Sequence, residues 1–356
     1  MTGAQASTGI DMLRGAQLAA SAINSQGGVS GHQITIVKAD DRADPSTGVK
    51  VAHQMVSEGV SAVIGPFNSA VGVKNLPIYR SAGVTILRLT SATSTEGYGV
   101  TTQPMVTQIA PVEADELHSV LNAGSVDILY DPSTYTSGIA SQLRSLLRSD
   151  GVSVPVYRSV SPTATSSQRT AALNAVSSAH ADVTYLAMYG PQAGLMAKGL
   201  YQLTSTSTSA TPPGRCFVDL AAQGSDFVSA AGVTAAESCL NSGVPSATQL
   251  PDGAAYVSAY QDQYHTAPGT WGAFTYDSLD LYAAEAKSSG QVKGQQLRSA
   301  LSHASDFSGA TGTITIEPGS GNRRNPPVVI LDIDSTGQYV IDPTWAQAAG
   351  YQVPSS

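Results

Sequence analysis

The first 110 residues alternate between helical and strand-like patterns of hydrophobic positions. Apolar residues recur at three- and four-residue steps between residues 8 and 26, which predicts a helix. The β-branched run at residues 33–38 (QITIVK) predicts a strand. The alternation continues with helices predicted at 45–58 and 69–81 and strands at 61–64 and 84–87. This order favours a parallel sheet covered by helices.

A second alternating series begins after Pro111. Glu113, Asp115 and Glu116 place negative charge in what the pattern predicts to be a first helical turn. The series continues with predicted strands at 126–130, 152–158, 182–187, 216–220 and 237–240, and helices at 136–149, 167–179 and 191–203. Helical patterns dominate residues 251–304, and strands are predicted at 313–316, 328–333 and 339–341. The sequence therefore predicts an α/β fold with two doubly wound units and more than one crossover.

Composition narrows the class of protein. The chain has 356 residues, enough for roughly two domains. The net charge of −8 excludes the basic surface that binding to nucleic acid requires. No stretch approaches the roughly 20 apolar residues of a membrane span. The N-terminus lacks the basic and apolar regions of a signal peptide, so we expect an exported form to be trimmed already.

Motifs for catalysis are missing. The sequence contains no GxSxG, HExxH, GxxxxGK[ST] or GxGxxG, and its six histidines are scattered without metal-ligand spacing. These absences leave no sequence argument for an enzyme, although a catalytic triad can assemble from distant residues. We expect no metal or cofactor site. The acidic segment at residues 40–44 could hold a cation, but a strand end that turns into an Asp-capped helix explains it more simply. Cys216 and Cys239 form either one bridge or two buried thiols.

Several segments together resemble the branched-chain amino acid (Leu/Ile/Val) binding proteins of ABC importers, within the type 1 periplasmic binding protein fold. The segment GIDMLRGA at residues 9–16 begins the match. The other segments follow in the family's order, at 22–31, 40–45, 63–66, 77–79, 91–93 and 130–135. The later half is similar more loosely, at 189–190, at the strand that ends in Asp219, and at 275–277.

The resemblance implies two doubly wound lobes joined by three crossovers, with a ligand cleft between them. We expect lobe 1 to comprise residues 1–110 and 245–312, and lobe 2 to comprise 111–244 and 313–356. It also implies a monomeric, extracytoplasmic protein that closes around a small ligand and delivers it to an ABC permease in the membrane.

The family's carboxylate-binding positions correspond to the segment Ser91, Ala92 and Thr93 and to Ser69. By resemblance, Ser69, the backbone of Ser91, and both backbone and hydroxyl of Thr93 hold the ligand carboxylate. Each follows a predicted strand, where helix N-termini present free amide groups to an anion. The alternative for each residue is an ordinary helix cap.

The opposite end of an amino acid ligand is assigned, again by resemblance, to Asp219, Tyr135 and Tyr189. Asp219 matches the acid that holds an α-ammonium group, and the two tyrosines close over the ligand. Tyr276 either lines the pocket or packs as a core aromatic. Thr8 stands where relatives carry a bulky residue against the ligand side chain, which implies a wider pocket here.

Two departures from the family concern strands. Cys216 and Cys239 lie in successive predicted strands, which a sheet can place about 5 Å apart, so we expect a disulfide. Relatives also carry a hydrophobic strand ahead of the segment aligned with residues 2–4, where Met1 stands here. That strand is either cut away or supplied differently, and its loss leaves two unpaired strand edges.

The sequence thus predicts a solute-binding protein for a carboxylate-bearing ligand, an α-amino acid of the branched-chain kind or similar. Two alternatives stay open. One is a ligand-sensing receptor for amides, urea or other small acids that uses the same clamp. The other is a hydrolase, which would require a histidine within hydrogen-bond reach of a serine.

Overall fold

A computed structural model describes residues 1–3, 5–206, 214–250 and 252–353. The chain forms two compact units. Unit 1 comprises Met1–Met105 and Pro245–Pro327, and unit 2 comprises Val106–Val244 and Val328–Ser355. The sequence predicts residues 313–327 in lobe 2 and 106–110 in lobe 1, whereas residues 106–110 begin unit 2. Residues 313–327 belong to unit 1, where Asn322 accepts a hydrogen bond from the buried guanidinium of Arg88.

The secondary structure follows the predicted alternation over most of the chain. The helices are α1 (Ala6–Ser25), α2 (Pro45–Ser57), α3 (Ser69–Ser81), α4 (Val106–Asp115), α5 (Thr134–Ser149), α6 (Ser166–Ala179), α7 (Gly190–Thr206), α8 (Ser225–Ala231), α9 (Val233–Ala236), α10 (Ala254–Tyr264), α11 (Gly272–Ser289), α12 (Gln295–Ser302) and α13 (Pro343–Ala348). The strands are β1 (Ala62–Ile64), β2 (Thr85–Leu87), β3 (Val126–Tyr130), β4 (Tyr157–Ser159), β5 (Val183–Ala187), β6 (Arg215–Val218), β7 (Cys239–Gly243), β8 (Phe307–Gly309), β9 (Gly312–Ile314), β10 (Val329–Ile333) and β11 (Tyr339–Ile341).

Unit 2 is built on one sheet with the strand order β11-β10-β7-β6-β5-β3-β4. Strands β3 to β7 pair in parallel, and β10 and β11 add an antiparallel edge. Every residue of β5 is buried, as expected of a strand covered on both faces. The strand predicted at 152–158 is shorter than expected, because Pro155 cannot donate a ladder hydrogen bond and β4 begins only at Tyr157.

A disulfide joins the neighbouring strands β6 and β7. Cys216 and Cys239 are register partners, and their Cα atoms lie 4.4 Å apart. Both cysteines are buried against the helices that cover this part of the sheet. The bridge therefore ties two central strands of unit 2 to each other.

Unit 1 contains the parallel pair β1 and β2 and the antiparallel pair β8 and β9. The strand predicted at residues 33–38 is wrong in one respect: its backbone joins no ladder within the described chain. Residues 33–38 have the β-branched pattern of a strand, but a strand also needs a neighbouring strand to which its backbone can hydrogen-bond. Instead, the side chain of Asn24 in α1 holds Ile34 by two hydrogen bonds of 2.9 and 2.7 Å to its carbonyl and amide.

Helices α1 and α11 pack closely within unit 1. A Cβ atom at Gly15 would lie 1.9 Å from the carbonyl oxygen of Gly272, so only glycine allows this approach. The buried carboxylate of Asp11 accepts hydrogen bonds from the amides of Trp271 (3.0 Å) and Gly272 (2.6 Å), where α11 begins. An acid at this position also complements the positive end of the helix dipole.

No helix in the described ranges is long and apolar enough to cross a bilayer.

Candidate functional site

Ser69 lies at the carboxyl end of β1, in the first turn of α3. The N-cap of this helix is Asn68, whose side chain accepts hydrogen bonds from the amides of Ala70 (3.0 Å) and Val71 (3.4 Å). Because Asn68 performs the capping, the hydroxyl of Ser69 is not needed for it. That hydroxyl is buried and accepts a hydrogen bond of 3.3 Å from the amide of Ala92.

The segment 91–95 follows β2 and turns sharply. The hydroxyl of Thr95 donates to the carbonyl of Ala92 at 2.6 Å and is buried below the turn, while the side chain of Thr93 is exposed. In the described residues, the amide and hydroxyl of Thr93 make no hydrogen bond, nor do those of Ser91. These donors and the hydroxyl of Ser69 belong to one neighbourhood of unit 1, because Ala92 touches Ser69.

Thr8 and Tyr276 also lie in unit 1. Thr8 is half-buried in the first turn of α1. Tyr276 packs edge-on against Tyr256 with 5.3 Å between ring centroids, and it contacts two hydrophobic clusters of the unit. The structure therefore gives Tyr276 a packing role of its own, whichever residues contact the ligand.

Unit 2 brings Tyr135 and Asp219 together. Tyr135 lies in the first turn of α5, and Asp219 directly follows β6. The hydroxyl of Tyr135 donates to Oδ2 of Asp219 at 3.0 Å, and the amide of Ala221 donates to Oδ1 at 3.0 Å. Tyr189 is half-buried at the end of β5, just before α7, and its carbonyl accepts hydrogen bonds from residues 192 and 193.

A second buried acid, Glu113, lies behind Asp219 in the same unit. It accepts hydrogen bonds from the hydroxyls of Tyr185 (2.9 Å) and Ser242 (2.6 Å). The hydroxyl of Ser242 also accepts a hydrogen bond of 2.9 Å from the amide of Leu220, the residue after Asp219, and the charge of Asp219 acts on Glu113. Two adjacent buried carboxyl groups cannot both be ionised without a large cost, so the pair holds a proton at neutral pH.

The acidity of this pair follows from its surroundings. Burial raises the pKa of Asp219 to about 7, against the opposing effect of the hydrogen bonds from Ala221 and Tyr135. Burial, and then the charge of Asp219, raise the pKa of Glu113 well above its usual range. Asp219 thus titrates near neutrality while Glu113 stays protonated. A cationic group placed against Asp219 would favour its ionised form.

Sequence reasoning missed Glu113 as a partner of Asp219. It placed Glu113 in a first helical turn, but α4 begins at Val106 and includes Pro111, so Glu113 lies near the end of the helix. Its partners Tyr185 and Ser242 are 72 and 129 residues away in the sequence. A buried acid with such distant partners leaves no local pattern that could reveal it.

Neither a metal site nor a paired nucleophile and base stands out elsewhere in the described residues. No cluster of potential metal-ligating side chains occurs in the described part of the chain. The hydroxyl of Ser302 and Nδ1 of His303 lie 3.1 Å apart, but both residues are at the end of α12, and Nδ1 also meets the carbonyl of Ser299 at 2.8 Å. Residue 302 is only half-buried and His303 is exposed, so this contact belongs to a helix end rather than to a pocket.

Unit 2 is built on a seven-stranded, mainly parallel sheet and unit 1 on the parallel pair β1 and β2, and in both units polar side chains follow the carboxyl ends of parallel strands. This arrangement is that of the type 1 periplasmic binding proteins, a class of α/β proteins. The comparisons agree with this class. The family model for Periplasmic binding protein matches residues 1–338, and the chain belongs to that family. The resemblance inferred from the sequence is thereby confirmed.

Individual relatives extend over nearly the whole chain. Leu/Ile/Val-binding protein homolog 2 from Brucella abortus (strain 2308) is 26% identical over 341 residues, 93% of this chain and 88% of that protein. The branched-chain amino acid transporter substrate binding protein LivJ from Streptococcus pneumoniae, in complex with isoleucine, is 23% identical with a TM-score of 0.82, covering 95% of this chain and 94% of that one.

Another solved structure of the same fold contains a different kind of ligand. The solute binding protein of an ABC transporter from Rhodopseudomonas palustris BisB5, in complex with 3,4-dihydroxy benzoic acid, is 18% identical with a TM-score of 0.81. It covers 95% of this chain and 92% of that chain. At this level of identity, both solved structures establish the shared fold, and the solute-binding role comes from the family.

Proposed function

We propose that this protein is the extracytoplasmic solute-binding component of an ABC importer, and that its solute carries a carboxylate group. The observation that carries the proposal is the group of donors at the ends of β1 and β2. Ser69 is released from capping by Asn68, and Ser91 and Thr93 keep amides and hydroxyls without partners in the described structure. Such donors bind a carboxylate without an arginine.

The strength of this arrangement suits reversible capture. Hydrogen bonds to a charged group contribute about 1.5–3 kcal/mol each. Five or six of them, reduced by the cost of ordering the protein and the ligand, are consistent with an affinity in the micromolar range, about −8 kcal/mol. An importer requires this kind of affinity, because the solute must be released to the permease afterwards.

We further propose that the solute is an α-amino acid, branched-chain or similar, whose ammonium group is held by Asp219. A cation removed from water needs an opposite charge beside it. The carboxyl of Asp219 titrates near neutrality, so an ammonium group can stabilise its charged form. The Brucella relative named for Leu/Ile/Val binding and the LivJ complex with isoleucine support this choice.

A small acid without an ammonium group is the second candidate. Both oxygens of Asp219 already accept hydrogen bonds, and the residue is fully buried. The neighbour that binds 3,4-dihydroxy benzoic acid has the same fold. A receptor that senses such acids or amides would use the same donors in unit 1 and differ in its membrane partner.

Isothermal titration with three matched ligands tests these proposals. L-Leucine carries both charged groups, 4-methylpentanoate lacks the ammonium, and leucinamide lacks the carboxylate. We expect L-leucine to bind and leucinamide to bind at least tenfold more weakly. Equal binding of leucinamide would contradict the carboxylate proposal. Equal binding of 4-methylpentanoate would favour the second candidate, and stimulation of a reconstituted ABC permease would test the transport role.

A further inference from the structure

The turn that follows β2 has a rear side made of buried polar side chains. Arg88, Thr90 and Thr95 are fully buried there, whereas Thr93 in the same turn is exposed. Buried polar groups have hydrogen-bond partners in most proteins. Here the acceptors include the carbonyl groups of the two peptides that carry the amides of Ser91 and Thr93.

The first of these peptides links Thr90 to Ser91. Nη1 of Arg88 donates a hydrogen bond of 3.2 Å to the carbonyl oxygen of Thr90. The peptide is trans, so its carbonyl and its amide point in opposite directions, and the amide of Ser91 points away from Arg88. Because hydrogen bonds in a series polarise one another, a donor on the carbonyl makes the amide of the same peptide a stronger donor.

The second peptide links Ala92 to Thr93 and is held in the same way. The carbonyl oxygen of Ala92 accepts hydrogen bonds from the hydroxyl of Thr95 at 2.6 Å and from its amide at 3.0 Å. The hydroxyl of Thr90 donates to the hydroxyl of Thr95 at 2.7 Å. A chain of hydrogen bonds therefore leads from Thr90 to the carbonyl that lies opposite the amide of Thr93.

Arg88 also brings a charge that no acid neutralises at close range. It forms no ion pair in the described part of the chain, and its other hydrogen bonds go to the carbonyl of Ser320, the side chain of Asn322 and the sulfur of Met105. Burial, against the opposing charge of Glu96, lowers the pKa of Arg88 to about 10, so the group is a cation at neutral pH. A buried cation without an acid beside it is costly, and an anion bound nearby would offset that cost.

Helix α3 holds the two buried threonines in place. A Cβ atom at Gly72 would lie 2.7 Å from Cγ2 of Thr90 and 3.3 Å from Cγ2 of Thr95. The methyl groups therefore pack on the helix backbone, which such close packing allows only at a glycine. With its methyl group held there, each hydroxyl stays directed at its acceptor.

We infer that Arg88 and Thr95 are positioning residues for the carboxylate of the ligand. They orient and polarise the two peptides whose amides, at Ser91 and Thr93, are proposed to donate to that carboxylate. This role rests on the proposed function, and neither side chain needs to touch the ligand. The arrangement favours an anion over a neutral group, because a positive charge and strengthened amide donors act at the same place.

Thr95→Val tests the hydrogen-bond chain with little disturbance of the fold, because valine keeps the methyl group and the carbonyl of Ala92 keeps the amide donor. In titration calorimetry, the variant should bind L-leucine at least about threefold more weakly, while its affinity for leucinamide should change by less than about twofold. Thr95→Ser retains the hydroxyl and should retain the affinity. The control Thr275→Val removes another buried hydroxyl, which donates to the carbonyl of Met12 at 2.7 Å, and should lower stability without changing affinity.

Arg88→Met removes both the charge and the hydrogen bond to the carbonyl of Thr90. It should weaken the binding of L-leucine by about tenfold and again spare leucinamide. Arg88→Lys keeps the charge and should weaken the binding of L-leucine less. If Arg88→Met does not fold, Arg88→Lys decides, because loss of the planar guanidinium should still alter the peptide that ends in Ser91.

Amide NMR of the protein without ligand separates this inference from the proposed function. The nitrogen signal of an amide responds to a hydrogen bond on the carbonyl of its own peptide. Thr95→Val should therefore shift the signal of Thr93, and Arg88→Lys that of Ser91. Unchanged signals would overturn the inference, and so would an equal loss of affinity for L-leucine and leucinamide or a loss that Thr95→Ser shares. Failure of the unaltered protein to bind L-leucine and 4-methylpentanoate would overturn the proposed function even where these signals shift.

Discussion

The hydroxyl of Tyr135 donates a hydrogen bond of 3.0 Å to Oδ2 of Asp219, across 84 residues of sequence. This contact joins two residues that the sequence proposed separately for one ligand group. Glu113 lies behind the same acid, and this acid pair determines how the molecule should respond to mutation and to pH.

Replacing Tyr135 by phenylalanine should destabilise the protein by about 1–3 kcal/mol, because one oxygen of a buried carboxyl group loses its donor. It should also raise the pKa of Asp219 further, since the hydroxyl of Tyr135 opposes the effect of burial. Urea unfolding measures the stability. The matched control in the same unit is Tyr351→Phe, whose ring packs on Trp345 at 5.5 Å between centroids. Equal effects of the two changes would contradict the role of the hydroxyl.

Stability should fall as the pH rises from about 4 to 7. Asp219 has a raised pKa in the folded protein, so the folded state binds more protons than the unfolded state in this window. By linkage, one such group changes the free energy of unfolding by at most about 1.4 kcal/mol per pH unit. Asp219→Asn should make this dependence shallower without removing it, because burial also raises the pKa of Glu116 to about 7 and those of Asp127 and Asp277 to about 6. The exposed control Asp262→Asn should leave the dependence unchanged. Urea unfolding of both variants and of the unaltered protein at several pH values measures the slope for each. Equal slopes for Asp219→Asn and the unaltered protein would contradict the prediction.

Affinity for an amino acid ligand should increase as the pH rises through 7. The ammonium group needs ionised Asp219, and protonation competes with the ligand below the pKa of about 7. The affinity should change at most about tenfold per pH unit below that value. Titration calorimetry in buffers of different ionisation enthalpy should detect release of a proton on binding. An affinity independent of pH, without proton release, would show that Asp219 does not hold the cation.

Asn68 and Ser69 are neighbours with separable roles. Asn68→Ala removes the cap of α3 and should lower stability by about 1 kcal/mol with little change in ligand affinity. Ser69→Ala should instead weaken carboxylate binding, by roughly tenfold for the loss of a hydrogen bond to a charged group. Thermal unfolding and titration calorimetry on both variants provide the comparison. A Ser69→Ala variant that loses stability but keeps full affinity would indicate a purely structural hydroxyl.

The disulfide in unit 2 should contribute about 3 kcal/mol. Cys216 and Cys239 are 23 residues apart, and closing a loop of this length restricts the unfolded chain by about that amount at 25 °C. The double variant Cys216→Ser, Cys239→Ser should unfold at lower urea concentration. Dithiothreitol should destabilise the unaltered protein but not the double variant, which provides the control for effects of the reductant itself.

The sequence predicts this fold well where the signal is local. The helix predicted at 69–81 matches α3 residue for residue, because Asn68, the apolar face and the following Gly83 mark its limits nearby. The ladder predicted for residues 33–38 failed because pairing depends on a neighbour, which local β propensity does not provide. The partnership of Glu113 and Asp219 was missed for the same reason, since Glu113 contacts Tyr185 and Ser242 only through the packing of distant strands.

The hydrogen bonds from Trp271 and Gly272 to Asp11 determine when unit 1 can form during synthesis. The ribosome releases α1 early, but its partner α11 follows some 260 residues later. At 5–20 residues per second, that interval is about 15–50 s. Throughout it, the part of the apolar face of α1 that packs on α11 lacks its native cover, so the packing of unit 1 is completed only after residue 272 has emerged.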